Sequence, residues 1–203
     1  MLKFLTLSLL VCSLCAGVAP YTTFYDLKLQ EFTKMKNANI VFLGDSLTMR
    51  HNWSAFKAVN MGIDGDTTAG VLSRLHQSSK AQTLVLMIGV NDILSQIPLV
   101  KIQNNYTKIL KRFSSTQKIY ILSLLPVIDA KQTKAINRDI RTMNNWLQTE
   151  VKKYPFSYID LYPHFLDQKG KGLHDTYTTD GIHLTPKAYK VWEKVLKNKL
   201  MSH

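Results

Sequence analysis

The sequence predicts an α/β fold in which a parallel sheet is covered by helices on both faces. Short apolar runs bounded by turn residues alternate with longer amphipathic segments, and this alternation continues to the end of the chain. The composition is that of a globular protein, since 45% of the 203 residues are hydrophobic and 20% are charged. This length suits one domain with a substantial core, so a second domain is not expected.

Five short apolar runs are predicted to be buried strands because turn residues bound them. They cover residues 39–43, 58–60, 83–88, 118–124 and 157–161. Helical patterns fill the gaps between them. The strands are therefore expected to run parallel, joined by helical crossovers.

Apolar residues recur at helical spacing between and after these strands. The predicted helices cover residues 67–76, 100–113, 134–151 and 186–200. The last helix has the clearest start, since Thr185 can cap it and Pro186 suits the first helical position. Ligands of such folds bind at the carboxyl ends of the strands, so we expect the chemistry in the loops at the strand ends.

The beginning of the chain has the pattern of a secretory signal peptide. Lys3 precedes an almost uncharged apolar stretch at 4–11, and mostly small residues follow at 16–19. We therefore predict a signal peptide at 1–19 and a single domain at 20–203. The mature protein is expected to be periplasmic or secreted.

Cysteine content and charge narrow the possible functions further. Both cysteines, Cys12 and Cys15, lie in the predicted leader, so the mature chain would have no cysteine nucleophile, disulfide or thiolate metal site. The formal net charge of +12 favours residence near an anionic cell-envelope surface. The basic residues are dispersed over the predicted helices without an aromatic-studded basic motif, so a nucleic-acid partner is not expected.

Unusual polar residues cluster in four segments at strand ends and before the last helix. These are Gly-Asp-Ser-Leu at 44–47, Asn-Met-Gly-Ile-Asp-Gly-Asp-Thr at 60–67, Gly-Val-Asn-Asp at 89–92 and Asp-Gly-Ile-His at 180–183. Each segment alone resembles a common turn. A parallel sheet, however, brings the carboxyl ends of neighbouring strands to one edge, which predicts that Ser46, Gly65 and Asn91 meet there.

These residues supply each group that a serine nucleophile requires. A serine hydroxyl reacts poorly near neutral pH, so it needs a base within hydrogen-bond reach and a third group that orients the base. His183 and Asp180 can fill these two roles for Ser46. The N–H groups of Ser46 and Gly65 and the amide of Asn91 are suitable donors to an oxyanion. The sequence thus predicts a catalytic triad and an oxyanion hole, with no metal.

The four segments, in this order, resemble the GDSL or SGNH hydrolase family of esterases and lipases, from about Ile40 to Tyr189. The resemblance implies that Ser46 is the nucleophile, with His183 as general base and Asp180 as its partner. It implies the same oxyanion donors and no metal or organic cofactor. It also implies a three-layer α/β/α fold with a flavodoxin-like five-stranded parallel sheet.

Three details refine this resemblance. The Gly-Asp-Thr-Thr run at 65–68 and the Ala-Gly-Val-Leu run at 69–72 are especially similar to the branch with platelet-activating-factor acetylhydrolase-like and carbohydrate acetyl esterases. The last segment departs from the family where Ala188 stands in place of a frequent glycine, which affects no predicted catalytic role. The Gly-x-Ser-x-Gly elbow of α/β-hydrolases is absent around Ser46.

The leading hypothesis is an exported serine ester hydrolase that works through an acyl-enzyme, with O-acetyl groups of glycans as favoured substrates. The same triad would serve a lysophospholipase or acyl-thioesterase of longer acyl preference, or a transferase that passes the acyl group to another hydroxyl. A non-catalytic module that binds an anionic polymer is a remote alternative. No oligomeric state is predicted.

Some acidic and histidine residues allow other interpretations. Asp64, Asp66 and Asp92 suggest a cluster for a hard metal ion, but their spacing matches no known metal-binding loop, and Asp66 suits a helix cap. The neighbours His174 and Asp175 form an alternative histidine–acid pair. Unlike His183, His174 lies in a long stretch without periodicity and does not directly precede a capped helix.

Overall fold

Among the described residues, the first element is a helix that was not predicted from the sequence. The computed structural model describes residues 20–34, 38–113, 117–130 and 133–200, so the predicted leader at 1–19 lies outside the described residues. The first element is α1 (Pro20–Lys34). Phe32 of this helix is buried in the core, whereas Leu27 is 58% exposed, which obscures the amphipathic pattern.

Among the described residues, five strands form one parallel sheet. In chain order they are β1 (Ile40–Gly44), β2 (Val59–Gly62), β3 (Thr83–Met87), β4 (Lys118–Leu122) and β5 (Ser157–Ile159). Their spatial order is β2-β1-β3-β4-β5, and every neighbouring pair is parallel. This is the flavodoxin-like order. The predicted α/β fold and five-stranded sheet are confirmed.

Strands β4 and β5 each end two residues earlier than predicted because side chains take over their hydrogen bonds, and β3 ends one residue earlier, at Met87. The N–H of Leu124 donates to Asn144 Oδ1 at 2.7 Å, and its carbonyl accepts from Asn144 Nδ2 at 2.9 Å. Beyond β5, the N–H groups of Leu161 and Tyr162 donate to Ser123 Oγ at 2.8 and 2.9 Å. Buried backbone groups need partners, so these side chains allow the loops to leave the sheet.

The predicted helices are all present in the structure. After α1 come α2 (Ser46–Met49), α3 (Thr68–Arg74), α4 (Val90–Leu94), α5 (Leu99–Arg112), α6 (Lys134–Glu150) and α7 (Pro186–Leu200). The short helices α2 and α4 were not predicted. The predicted 67–76 helix ends at Arg74 and continues as a 3₁₀ turn, Leu75–Ser78. The predicted cap of α7 is correct, since Thr185 Oγ1 accepts the N–H of Ala188 at 3.4 Å.

Helices cover both faces of the sheet, as right-handed crossovers require. Helix α5 packs beside α3 and α6 on one face. On the other face, Trp53 stacks on Phe42 of β1 with ring centroids 4.1 Å apart, and Trp192 of α7 meets Trp53 at 5.2 Å. Because all the strand pairs are parallel, the loops at the carboxyl ends of the strands lie at one edge of the sheet. No helix in the described part of the chain is long and apolar enough to span a membrane.

Candidate active site

The predicted nucleophile lies at a sharp turn between β1 and α2. Ser46 is the first residue of α2, and Asp45 caps this helix by accepting the N–H of Leu47 at 3.0 Å. The turn is crowded, since a Cβ at Gly44 would collide with Thr48 Oγ1. Ser46 is only 5% exposed. Because Ser46 is the first residue of the helix, no preceding helical turn supplies a carbonyl that could accept its backbone N–H.

The structure brings Ser46, His183 and Asp180 together through consecutive hydrogen bonds. His183 Nε2 lies 3.1 Å from Ser46 Oγ, and His183 Nδ1 lies 2.6 Å from Asp180 Oδ2. The other Asp180 oxygen accepts the N–H groups of Ile182 at 3.0 Å and His183 at 2.8 Å. With the Nδ1 proton directed at the carboxylate, the Nε2 lone pair faces the serine hydroxyl. The arrangement can take a proton from Ser46.

The electrostatics of this triad keep its acid ionised. Burial alone would raise the pKa of Asp180, but hydrogen bonds from the His183 ring and from the N–H groups of His183 and Ile182 outweigh it and hold the pKa well below its ordinary value. The side chain of Asp180 is 49% exposed and that of His183 is 27% exposed. The histidine–acid pair therefore lies at the solvent-facing rim of the site, above a nearly buried serine.

Segment 178–183 is held by the loop that follows β4. The N–H of Gly181 donates to Thr178 Oγ1 at 2.9 Å, and the N–H of Ile128 donates to the carbonyl of Gly181 at 2.9 Å. Gly181 has a φ of 91°, a conformation that favours glycine. These contacts fix the backbone on which Asp180 and His183 stand.

The loops after β2 and β3 leave the sheet at the same register position as the turn that carries Ser46. Gly44 pairs with Gly62 of β2 on one side and with Met87 of β3 on the other. A Cβ at Gly62 would collide with the backbone of Met49, so the end of β2 packs directly against α2. The loops that carry Gly65 and Asn91 therefore leave the sheet beside Ser46, as the sequence predicts.

Gly65 and Asn91 both offer N–H groups at this edge. Gly65 has a φ of 73°, and its N–H meets no acceptor within the described ranges. Asn91 Nδ2 donates to the carbonyl of Asp66 at 2.9 Å, which keeps the side chain beside the Gly65 loop. An amide nitrogen carries two hydrogens, so one remains for another acceptor.

A buried arginine that the sequence analysis missed ties these loops together. Arg74 is 1% exposed and donates to Asp66 Oδ2 at 2.8 Å, to the carbonyl of Met61 at 2.9 Å and to the carbonyl of Gly44 at 3.0 Å. It thereby joins the ends of β1 and β2 to the loop that contains Gly65. One feature of the sequence indicates that Arg74 is buried: it lies three residues after Val71, on the apolar face of α3.

The acids considered as metal ligands have protein partners instead. Asp66 pairs with the guanidinium described above, Asp92 accepts the N–H of Thr68 at 2.9 Å and its hydroxyl at 2.6 Å, and Asp64 pairs with Arg50 at 3.1 Å. Burial raises the pKa of both Asp66 and Asp92. No group of three or more His, Cys, Asp or Glu in the described segments could hold a metal ion.

Asp45 differs from the other buried acids because one of its oxygens is unpartnered. Asp45 is fully buried, and its Oδ2 has no hydrogen-bond partner among the residues described. Burial raises the pKa of Asp45 to about 7, and the neighbouring carboxylates of Asp66 and Asp92 act in the same direction. Its contribution to the turn is the helix cap.

A second connection that the sequence analysis missed joins α7 to the nucleophile helix. The hydroxyl of Tyr189 donates to the carbonyl of Leu47 at 2.9 Å. The His51 ring stacks on the Tyr189 ring at 4.3 Å, and His51 Nε2 lies 2.9 Å from Glu193 Oε1. The helix that follows His183 is thus fastened to the helix that begins at Ser46.

The alternative pair, His174 and Asp175, is not assembled beside the serine. His174 Nδ1 accepts the N–H of Thr176 at 3.2 Å and caps the 3₁₀ turn Asp175–Tyr177. His183 is the histidine that lies beside Ser46.

Sequence comparison agrees with this geometry. Residues 42–191 match the GDSL-like lipase/acylhydrolase family. The chain belongs to this family. This GDSL protein is 26% identical to platelet-activating factor acetylhydrolase IB subunit alpha1 of Rattus norvegicus over 178 residues, which cover 77% of this chain and 72% of the relative. It is 26% identical to the alpha2 subunit of Homo sapiens over 173 residues, with coverage of 77% and 73%.

Solved structures resemble this GDSL protein over most of their length. One, described as a platelet activating factor of Streptococcus pneumoniae, is 27% identical with a TM-score of 0.79 and covers 88% of this chain and 93% of its own. A GDSL-like lipase of Bacteroides thetaiotaomicron, 21% identical with a TM-score of 0.75 and coverage of 87% and 97%, shares the fold. Family membership supports ester hydrolysis, with small-molecule esters as substrates.

Proposed function

We propose that this GDSL protein is a serine esterase that works through a covalent acyl-enzyme. The observation that carries the proposal is the chain of hydrogen bonds from Ser46 Oγ through His183 to Asp180, with distances of 3.1 and 2.6 Å. A nucleophile, a base and an orienting carboxylate at these distances are the constellation that acyl transfer through serine requires.

In the first half-reaction, Ser46 Oγ attacks the ester carbonyl while His183 Nε2 takes the hydroxyl proton. The carbonyl oxygen becomes an oxyanion, which the N–H groups of Ser46 and Gly65 and the amide of Asn91 stabilise. When the tetrahedral intermediate collapses, the bond to the alcohol breaks and His183 returns the proton to the leaving oxygen. The acyl group stays on Ser46.

In the second half-reaction, His183 takes a proton from water, and the resulting hydroxide attacks the acyl carbon. The carboxylic acid leaves, and His183 returns the proton to Ser46 Oγ. Asp180 remains ionised throughout, since its hydrogen bonds stabilise the carboxylate, and it balances the charge of the imidazolium.

We propose acetyl esters of glycans as the substrates. Two observations support a short acyl group: residues 65–72 resemble the acetylhydrolase and carbohydrate acetyl esterase branch, and the curated relatives carry the name of an acetylhydrolase. The net charge of +12 supports a location near anionic cell-envelope polymers.

Steady-state hydrolysis of p-nitrophenyl acetate, octanoate and palmitate tests both parts of this proposal. Ser46→Ala and His183→Ala should each lower kcat by about 10⁴-fold or more, because each removes a member of one acting unit. Acetate should be the preferred acyl group. A tenfold preference for the long chains would favour the lysophospholipase or thioesterase alternative, whereas unchanged rates in Ser46→Ala would overturn the serine mechanism.

We also propose that the protein is exported after cleavage of residues 1–19. The pattern of charged, apolar and small residues in this stretch supports the proposal. Mass measurement of protein recovered from the periplasm or medium should give a chain without the leader. A full-length chain retained in the cytoplasm would contradict export.

A further inference from the structure

A polar cleft opens beside the segment that carries Asp180 and His183. It has a volume of about 430 Å³ and is distinct from the triad. Every residue that lines it has a charged or polar side chain: Asp129, Asp167, Gln168, Lys169, His174 and Asp175. Since no apolar side chain lines it, the cleft does not suit a fatty acyl chain.

The cleft is physically joined to the active-site rim. Asp129 follows Ile128, whose N–H donates at 2.9 Å to the carbonyl of Gly181, the residue next to Asp180. On the other side, the N–H of Tyr177 donates to the carbonyl of His174 at 2.8 Å, in the turn that leads into Asp180. A substrate whose ester lies at Ser46 could therefore extend its alcohol part over Ile128 into this cleft.

Most of the lining side chains are available to a ligand, whereas Asp167 Oδ1 already accepts the N–H of Lys171 at 2.9 Å. Among the described residues, the side chains of Asp129, Gln168 and Asp175 make no hydrogen bond or ion pair. His174 Nδ1 accepts the N–H of Thr176, so the ring proton lies on Nε2. The cleft thus combines carboxylate acceptors with amide, ammonium and imidazole donors.

We propose that this cleft is a subsite for a neutral sugar ring in the alcohol part of the ester. This inference rests on the proposed esterase function and names its substrate class. Each sugar hydroxyl donates and accepts, so a ring with neighbouring hydroxyls can use carboxylates and donors together. Three carboxylates outnumber the single ammonium, which disfavours a phosphate or a uronic acid despite the basic charge of the whole chain.

The kinetic test compares a glycan ester with a small ester. In the double variant Gln168→Ala/Asp175→Ala, both changes fall on exposed side chains, so the fold is retained. With partially O-acetylated xylo-oligosaccharides, loss of these hydrogen bonds should raise KM by about tenfold with little change in kcat. Hydrolysis of p-nitrophenyl acetate should stay within twofold of the wild type, because this ester has no sugar.

The matched control is Asp26→Ala/Gln30→Ala, which removes an exposed acid and an exposed amide from α1. Helix α1 lies beside Gln77, whose Nε2 donates to the carbonyl of Leu29, and not beside the cleft. The control should change neither activity. Equal losses on both substrates in the cleft variant, no loss on either, or a preference for O-acetylated polygalacturonate over the neutral glycan would overturn the subsite.

A binding experiment distinguishes failure of the subsite proposal from failure of the proposed esterase function. Titration calorimetry of Ser46→Ala with the same acetylated xylo-oligosaccharides should show binding that weakens by about tenfold when the cleft changes are added. If the wild-type protein hydrolyses none of the esters, the proposed esterase function fails. The titration still shows whether the cleft binds the sugar, because binding does not depend on hydrolysis. Binding that is absent, or that is unchanged by the cleft variant, would overturn the sugar subsite.

Discussion

The hydroxyl of Tyr189 donates a hydrogen bond to the carbonyl of Leu47 across 2.9 Å, and this bond joins the helix after His183 to the helix that begins at Ser46. The two residues that must meet for catalysis come from opposite ends of the chain. A buried connection directly behind them limits how far their supporting helices can separate.

Tyr189→Phe should weaken this connection while keeping the ring that stacks on His51. We expect the free energy of unfolding to fall by about 1–3 kcal/mol, because the buried carbonyl of Leu47 loses its donor. Hydrolysis should slow in parallel. Urea unfolding and the kcat for p-nitrophenyl acetate measure the two effects. Tyr154→Phe is the control, since the Tyr154 ring stacks on Phe156 and its hydroxyl makes no hydrogen bond within the described chain. Equal effects of Tyr189→Phe and Tyr154→Phe would show that the hydrogen bond from Tyr189 to Leu47 does not stabilise the protein.

Arg74→Met should destabilise the protein strongly because it leaves the buried carboxylate of Asp66 without its partner. Breaking a buried ion pair from one side costs about 3–5 kcal/mol. Adding Asp66→Asn should recover part of the loss, and a double-mutant cycle of urea unfolding measures the coupling. Arg112→Met, at an exposed arginine that donates to the carbonyl of Leu72, should cost far less. Additive effects of the Arg74 and Asp66 changes would show that the pair does not act as a unit.

The stability of the protein should fall as pH rises through the titration of Asp45. The folded pKa of about 7 exceeds the ordinary carboxyl value, so the folded state binds the extra proton between about pH 4 and pH 7. The free energy of unfolding should decrease by at most about 1.4 kcal/mol per pH unit in this window and then level off. The raised pKa values of Asp66 and Asp92 act with the same sign, whereas the lowered pKa of Asp180 acts below pH 4.

Asp45→Asn tests this contribution because asparagine keeps the capping oxygen and cannot ionise. Melting temperatures from pH 4 to pH 8 should show a flatter slope in the variant than in the wild type. The exposed Asp26→Asn serves as the control. Parallel slopes in wild type and Asp45→Asn would contradict the assignment of the titration to Asp45.

Asn91→Ala should lower kcat by about 10²–10³-fold if its amide stabilises the oxyanion. Asn105→Ala is the control, because Asn105 Nδ2 donates at 2.9 Å to Thr68 Oγ1, in the same polar network, without a predicted role in the chemistry. Both variants lose one amide hydrogen bond. A near-wild-type rate in Asn91→Ala, or an equal loss in Asn105→Ala, would remove Asn91 from the mechanism.

The sequence predicted the features that depend on periodicity and local chemistry. Buried parallel strands appear as continuous apolar runs, and Thr185 with Pro186 marks a helix start by well-understood capping preferences. The convergence of Ser46, Gly65 and Asn91 followed from the common edge of a parallel sheet. His183 could be preferred to His174 because an acid lies three residues ahead of it, just before a capped helix.

The features that were missed depend on long-range contacts. From the sequence alone, Arg74 would be taken for a surface arginine, but in the structure its acceptors are carbonyls at the ends of β1 and β2. Tyr189 would be taken for a simple core residue, but its hydroxyl donates to the carbonyl of Leu47. The ends of β4 and β5 were displaced because Asn144 and Ser123, distant in sequence, replace the ladder bonds. No local pattern encodes partners at such separations.

Covalent labelling with a fluorophosphonate, read by mass spectrometry of the folded protein and its peptides, tests the central claim most directly. A single adduct is predicted on Ser46, absent in Ser46→Ala and formed much more slowly in His183→Ala, because His183 must accept the serine proton. An unlabelled wild-type protein, or an adduct on another serine with Ser46 unmodified, would contradict the account.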